Sequence, residues 1–128
     1  MTKKVLISTG GSGGHVLPAI TIYNHLKNTH ETFISSDMRG LAYLDKNYKV
    51  FVINTPKLNN YFLLPFSSLK ILFLTVKSFF ILKKNNISIL ISTGGYMSLP
   101  LCLAAKILDI NIFLIEPNMV LGRANKFF

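Results

Sequence analysis

Carboxylates are scarce in this chain: 5 Asp and Glu stand against 14 Lys and Arg, for a formal net charge of +9. His15, His25 and His30 are scattered, without metal-ligand spacing and without an acidic pair beside them, so no metal is expected. Cysteine is almost absent. Cys102 is alone, which excludes an internal disulfide, and its apolar stretch marks a buried structural thiol rather than a nucleophile. A secretory leader is not expected either. Met1-Thr2-Lys3-Lys4 runs straight into an apolar strand, so a cytosolic compartment is expected. There is no internal repeat and no segment of low complexity.

What remains is short, apolar and basic. The 128 residues suffice for one small domain with one core. Half of them are hydrophobic, and the mean hydropathy of +0.43 is high for a fully soluble protein. A basic, apolar chain suits an anionic partner: nucleic acid, anionic lipid or a phosphorylated substrate.

The chain is organised around Ser8-Thr9-Gly10-Gly11-Ser12-Gly13-Gly14-His15-Val16-Leu17-Pro18-Ala19. An apolar run, Val5-Leu6-Ile7, enters it, and a helix-patterned segment, Ile20 to Leu26, leaves it. Clustered glycines surrender much backbone entropy on folding, and close approach of backbone to a ligand is the usual reason to keep them. A helix start offers unpaired N–H groups and a positive dipole end, which suit a phosphate or diphosphate. The alternative is a tight turn that merely needs glycine. Pro18 fits the first helical turn. His15 stands where a P-loop needs Lys. A dinucleotide fingerprint fails at Val16, which occupies its third glycine position, although Asp37 lies at about the right distance for a ribose contact.

In order, the strands expected are Val5 to Ser8, Thr32 to Ile34, Val50 to Ile53, Ile89 to Ser92 and Ile112 to Ile115. The helices expected are Pro18 to Lys27, a short one at Leu41 to Asp45, one capped by Ser67 or Ser68 that runs to Lys84, and Ser98 to Leu108. Residues 57–66 read as an unusually apolar loop. Gly122 to Phe128 reads as the start of another helix. Strands alternating with helices indicate an α/β fold, a Rossmann-like parallel sheet with helices on both faces. Ligands collect at the carboxyl ends of such strands. The glycine turn, Thr93 to Tyr96 and Glu116 to Asn118 all fall there.

The segment Leu69 to Lys84 is too apolar for an ordinary surface helix. At about 100° per residue, Lys70, Lys77 and Lys84 form one stripe. Phe73 and Phe80 flank it on one side, Leu74 and Ile81 on the other. Leu69, Leu72, Val76 and Phe79 lie opposite and are expected to face the sheet. The pattern fits a helix lying in a membrane interface, its lysines at anionic headgroups. A core helix covered by another part of the protein and a transmembrane span are the alternatives. Pro65, Ser67, Ser68, Lys70 and Lys77 argue against spanning.

Gly10-Gly11-Ser12-Gly13-Gly14-His15-Val16-Leu17-Pro18-Ala19 resembles the first glycine loop of the MurG family, the UDP-N-acetylglucosamine:lipid I N-acetylglucosaminyltransferases of peptidoglycan synthesis. Gly94-Gly95-Tyr96 with Ser98 and Pro100 resembles its second glycine loop. Glu116-Pro117-Asn118 resembles its Glu-Gln-Asn motif, and Gly122 with Asn125-Lys126 matches the family residues just beyond that motif. The resemblance runs in order from Val5 to Phe128. It implies the amino-terminal, acceptor-binding half of a two-domain GT-B glycosyltransferase, peripheral on the cytoplasmic face of the inner membrane. Residues 1–128 are then an incomplete amino-terminal domain, and the carboxyl-terminal UDP-sugar-binding domain is the missing partner.

By the same resemblance, Gly10, Gly11, Ser12, Gly13 and Gly14 hold the diphosphate of undecaprenyl-linked lipid I. Gly94, Gly95 and Tyr96 form a second loop at the substrates, Asn118 contacts UDP-N-acetylglucosamine, and Glu116 is a cleft carboxylate. Pro117 departs from the family's usual Gln and removes a hydrogen-bonding position. Ile115 stands where the family often has His. The membrane-contacting residues are Lys70, Phe73, Leu74, Lys77, Phe80, Ile81 and Lys84. The chemistry implied is attack of an acceptor hydroxyl on the donor's anomeric carbon with inversion, which needs a base at the hydroxyl and N–H or cationic stabilisation of the departing diphosphate. His15 is the base candidate by residue type, Glu116 the second. No cofactor is implied. The competing functions are a non-catalytic membrane-docking half that recruits a separate UDP-GlcNAc transferase chain, a nucleotide-binding oxidoreductase, disfavoured by Val16, and nucleic-acid binding, which only the net charge suggests.

Overall fold

Short runs rich in Val, Ile and Phe pair side by side, because such residues fit a pleated surface covered on both faces. The computed structural model describes residues 3–11, 13–55, 64–94 and 98–115. Its strands are β1 (Lys4–Ser8), β2 (Glu31–Ser36), β3 (Val50–Val52), β4 (Ile89–Ser92) and β5 (Asn111–Leu114). They form one parallel sheet in the order β3-β2-β1-β4-β5. The helices are α1 (Gly13–Leu26), α2 (Leu64–Lys84) and α3 (Leu99–Ile107), with a 3-10 helix at Gly40–Tyr43.

Alternation along β1 divides the core. Leu6 joins Phe33 and Leu90 on the face covered by Leu74 and Leu82 of α2 and by Leu101 and Cys102 of α3. Val5 and Ile7 join Ile34 on the opposite face, covered by Ala19 and Tyr23 of α1. The expected α/β sheet with helices on both faces is therefore present. Cys102 is buried, and burial pushes its thiol up to about 11 against the opposing pull of Ser92, Ser98 and Lys106.

Three local expectations need correction. α1 begins at Gly13, so Pro18 lies inside the helix rather than in its first turn. The ring leaves the Gly14 carbonyl, four residues earlier, without its ladder donor. The turn glycines that propensity assigns to loop thus form the first turn of a helix. α2 likewise starts at Leu64, with Ser67 and Ser68 inside it rather than capping it. The segment 56–63, with Tyr61, Phe62 and Leu63 of the expected apolar loop, lies outside the described residues.

The third correction concerns which side of α2 faces inward. Leu69 and Leu72, expected against the sheet, are 65% and 63% exposed, and Val76 is exposed as well. Leu74, expected at the membrane, is buried at 7%, and Ile81 is half-buried against the core. The inward face is Ile71, Leu74, Thr75, Ser78 and Leu82. Thr75 and Ser78 reach it because their hydroxyls donate to the Ile71 and Leu74 carbonyls, each at 2.7 Å. A hydroxyl satisfied by its own helix carries little desolvation cost, and its small size permits close packing. A count of hydrophobic residues therefore turns the helix the wrong way.

This orientation is measurable. Leu74→Ala is expected to lower stability by about 2–4 kcal/mol. Leu72→Ala is expected to change it by less than about 1 kcal/mol. Denaturant titration of the two variants reads the difference, and the reverse order would restore the orientation expected from the sequence.

Candidate functional site

β1 and β4 are adjacent, yet the chain leaves β1 for α1 on one face and leaves β4 toward α3 on the other. Such a switch point opens a crevice at the carboxyl edge, where the turns from both strands meet. The ladder continues past the strand ends and holds those turns. Thr9 N–H donates to the Ser35 carbonyl at 2.9 Å, and Thr93 N–H donates to the Ser8 carbonyl at 3.0 Å. Thr93 Oγ1 donates to Thr9 Oγ1 at 2.8 Å, with both residues fully buried.

Glycine is required where the backbone turns at the crevice. Gly10 and Gly11 have φ of 143° and 78°, and Gly94, after β4, has φ of 96°. Side-chain-bearing residues rarely adopt these values. The first turn of α1 then supplies N–H groups that have no intrahelical partner. His15 lies in that turn. Its Nδ1–H donates to the Thr93 carbonyl at 2.9 Å and so spans the switch point. A carbonyl only accepts, so Nδ1 carries the hydrogen and the neutral ring keeps its lone pair at Nε2.

A third wall comes from the segment after β2. Asp37 is buried, and its Oδ1 accepts from Gly11 N–H and from Gly40 N–H, both at 2.9 Å. Its Oδ2 accepts from Arg39 Nε at 3.1 Å. Burial raises the carboxyl's proton affinity, but the two N–H donors and the guanidinium outweigh it and hold the group below its ordinary 3.8. The 3-10 helix presses on the turn. A Cβ at Gly40 would collide with Ser36 Oγ and approach Gly10 Cα to 2.9 Å. The Tyr43 ring covers Gly13 so closely that a Cβ there would lie 3.3 Å from Cε1.

Of the residues expected at a site, Gly10, Gly11, Gly13, Gly14, His15 and Gly94 come together at this edge. Ser12, Gly95, Tyr96, Glu116 and Asn118 lie outside the described residues, as do Pro117 and Gly122 to Phe128. Lys70, Phe73, Lys77, Phe80 and Lys84 are exposed on α2, whereas Leu74 and Ile81 turn inward. No group of His, Cys, Asp and Glu among the described residues has the arrangement of a metal site. The ribose contact considered for Asp37 is disfavoured, because both of its carboxylate oxygens are engaged by the protein itself. Its position at the end of β2 was the visible signal; its inward orientation was not. Arg39, Gly40 and Tyr43 carried no signal as site residues.

A Rossmann-like sheet in this strand order, with a glycine turn at its switch point, has the architecture of one half of a GT-B glycosyltransferase. The chain belongs to the family described as the glycosyltransferase family 28 N-terminal domain, which matches residues 5–128. It is 53% identical to the UDP-N-acetylglucosamine–N-acetylmuramyl-(pentapeptide) pyrophosphoryl-undecaprenol N-acetylglucosamine transferase of Pelagibacter ubique, over 100% of this chain and 36% of that protein. It is 35% identical to the transferase of the same name from a Wolbachia of Brugia malayi, over 97% of this chain and 35% of that protein. Among solved structures, Acinetobacter baumannii MurG superposes with a TM-score of 0.83 at 27% identity, over 98% of this chain and 38% of that one. The chain thus spans about a third of the length of the curated relatives it matches.

The Asp37 contacts carry a pH signature. A carboxyl whose folded value lies below the unfolded 3.8 adds stability at neutral pH, and that stability is lost as pH falls through the folded value. Asp37→Asn is expected to cost about 1–2 kcal/mol at pH 7, with the deficit shrinking below about pH 4. Thermal melts across that range test it; a deficit independent of pH would show that the charge of Asp37 does not stabilise the fold.

Proposed function

We propose that this chain forms the acceptor side of an N-acetylglucosaminyltransferase that moves GlcNAc from UDP-GlcNAc to undecaprenyl-pyrophosphoryl-MurNAc-pentapeptide in peptidoglycan synthesis. The observation that carries the proposal is the glycine turn at the switch point, in a chain 53% identical over its whole length to a relative named for that transfer. In this proposal Gly10 to Gly14, including Ser12, cradle the acceptor diphosphate, which meets the α1 dipole and the backbone N–H groups other than that of Gly11, already engaged by Asp37. Gly94, Gly95 and Tyr96 act as the second substrate-binding loop that the family resemblance implies, and Asn118 contacts the UDP-sugar.

The acceptor hydroxyl attacks the donor's anomeric carbon. The new C–O bond forms as the bond to the diphosphate breaks, and UDP leaves. His15 takes the hydroxyl proton at Nε2, which its bond to the Thr93 carbonyl keeps unprotonated in the neutral ring. Glu116 is the alternative base. The donor is held by a carboxyl-terminal domain, in keeping with the third of the relatives' length that this chain spans.

We place the domain on the cytoplasmic face of the inner membrane through α2. Phe66, Leu69, Leu72, Phe73, Val76 and Phe80 are exposed, with Lys70, Lys77, Lys83 and Lys84 around them. Such an apolar strip bordered by lysines suits an anionic interface. Pro65–Lys84 is long and apolar enough to cross a membrane. Its opposite face is packed into the sheet's core, which supports lying at the surface over spanning.

Two experiments test the proposal. In a chimera, residues 1–128 replace the matching segment of the Pelagibacter transferase. The chimera is expected to transfer GlcNAc to lipid I, and His15→Ala to lower kcat by about 10²–10⁴. The 128-residue chain alone is expected to transfer none. An inactive chimera that is folded and binds membranes would favour the docking-half alternative. Separately, the chain is expected to sediment with anionic vesicles and not with neutral ones. Replacing Lys70, Lys77 and Lys84 by Ala is expected to weaken this on the order of 100-fold. Equal binding to both vesicle types would remove the anionic interface.

A further inference from the structure

We propose that Asp37 is a positioning residue for the glycine turn, its carboxylate setting the backbone geometry that receives a substrate diphosphate. The inference rests on the turn being the diphosphate cradle. Gly10 and Gly11 both sit at positive φ, where successive glycines have many competing conformations. Asp37 Oδ1 grips the Gly11 N–H from one side and the Gly40 N–H from the other. It thereby ties the turn to the 3-10 helix, whose Gly40 already lies against Gly10 and whose Tyr43 ring lies against Gly13.

A carboxylate beside an anion site is unfavourable unless its charge is answered. Arg39 answers it at Oδ2, and the guanidinium remains largely exposed at 59% while Asp37 is buried. The arrangement spends one N–H of the turn, that of Gly11, on holding shape, and leaves those of the first turn of α1 to the ligand. A turn restrained before the ligand arrives loses less entropy on binding.

The sign of the effect separates positioning from charge. The probe is inorganic pyrophosphate, titrated calorimetrically at pH 7 into the unaltered chain and into D37A, D37N and D37E, each verified as folded by circular dichroism. If Asp37 positions the turn, D37A binds roughly tenfold more weakly although a negative charge has been removed. D37N, which keeps an Oδ1 acceptor for both N–H groups, recovers most of that loss. D37E, which keeps the charge and displaces the acceptor, stays as weak as D37A. Where D37A does not fold, the comparison of D37E with D37N is decisive. A bystander carboxylate predicts the opposite pattern: tighter binding in D37A and D37N, and no change in D37E. That pattern overturns the inference and leaves the cradle in place. Failure of the unaltered chain to bind pyrophosphate overturns the cradle, and this inference with it.

Discussion

β1 has parallel partners on both edges, β2 from Lys4 against Glu31 to Ser8 against Ser35, and β4 from Val5 against Ile89 to Ser8 against Ser92. Its apolar side chains are buried on both faces. A strand so enclosed can release the chain only at its ends, and the two loops that meet at its carboxyl end become neighbours although they lie far apart in sequence. The His15–Thr93 hydrogen bond joins residues 78 apart, and the Thr9–Thr93 hydroxyl pair joins residues 84 apart. The last β1 residue completes the arrangement. Ser8, Ser35 and Ser92 lie in register across three strands and are all buried, a row of small residues on which turns and helix starts can sit close to the sheet.

α2 connects this edge to the rest of the domain's surface. It runs back from the carboxyl side of β3 to the start of β4, so its amino-terminal end lies toward the crevice edge and Lys84 toward the other. One side is core. The other is an apolar surface that water does not favour. A lipid-linked acceptor has its diphosphate at the membrane surface and its chain within the bilayer. Under the proposed function the glycine turn would receive that diphosphate at one edge, and the apolar, basic helix reaching toward the same edge would meet the bilayer. The net charge of +9 fits this arrangement better than nucleic-acid binding, since the lysines of α2 lie among Phe, Leu and Val rather than among stacking aromatics and glycines.

Much of this was legible in the sequence, for local reasons. Each strand is a run of apolar residues bounded by polar or turn residues, and β4 appears with the expected bounds, Ile89–Ser92. Alternation of strands and helices implied a parallel sheet, and a parallel sheet implied a ligand edge. The glycines, needed where φ is positive, marked the turn. Element ends were less legible. α1 starts among glycines and carries Pro18 within it, against propensity, because packing of Val16, Ala19 and Tyr23 outweighs about 1 kcal/mol per glycine and the lost ladder bond.

The sequence by itself determined that this is a basic, glycine-turn α/β domain with one unusually apolar helix, because period, composition and turn chemistry are properties of neighbours along the chain. Three things only the tertiary structure decided. It chose the inward face of α2, since Thr75 and Ser78 satisfy their hydroxyls on their own helix and become acceptable core residues. It turned Asp37 toward Gly11, a contact across 26 positions that no local pattern encodes. And it put the hydrogen of the neutral His15 ring on Nδ1, because the carbonyl that accepts it comes from the far side of the switch point.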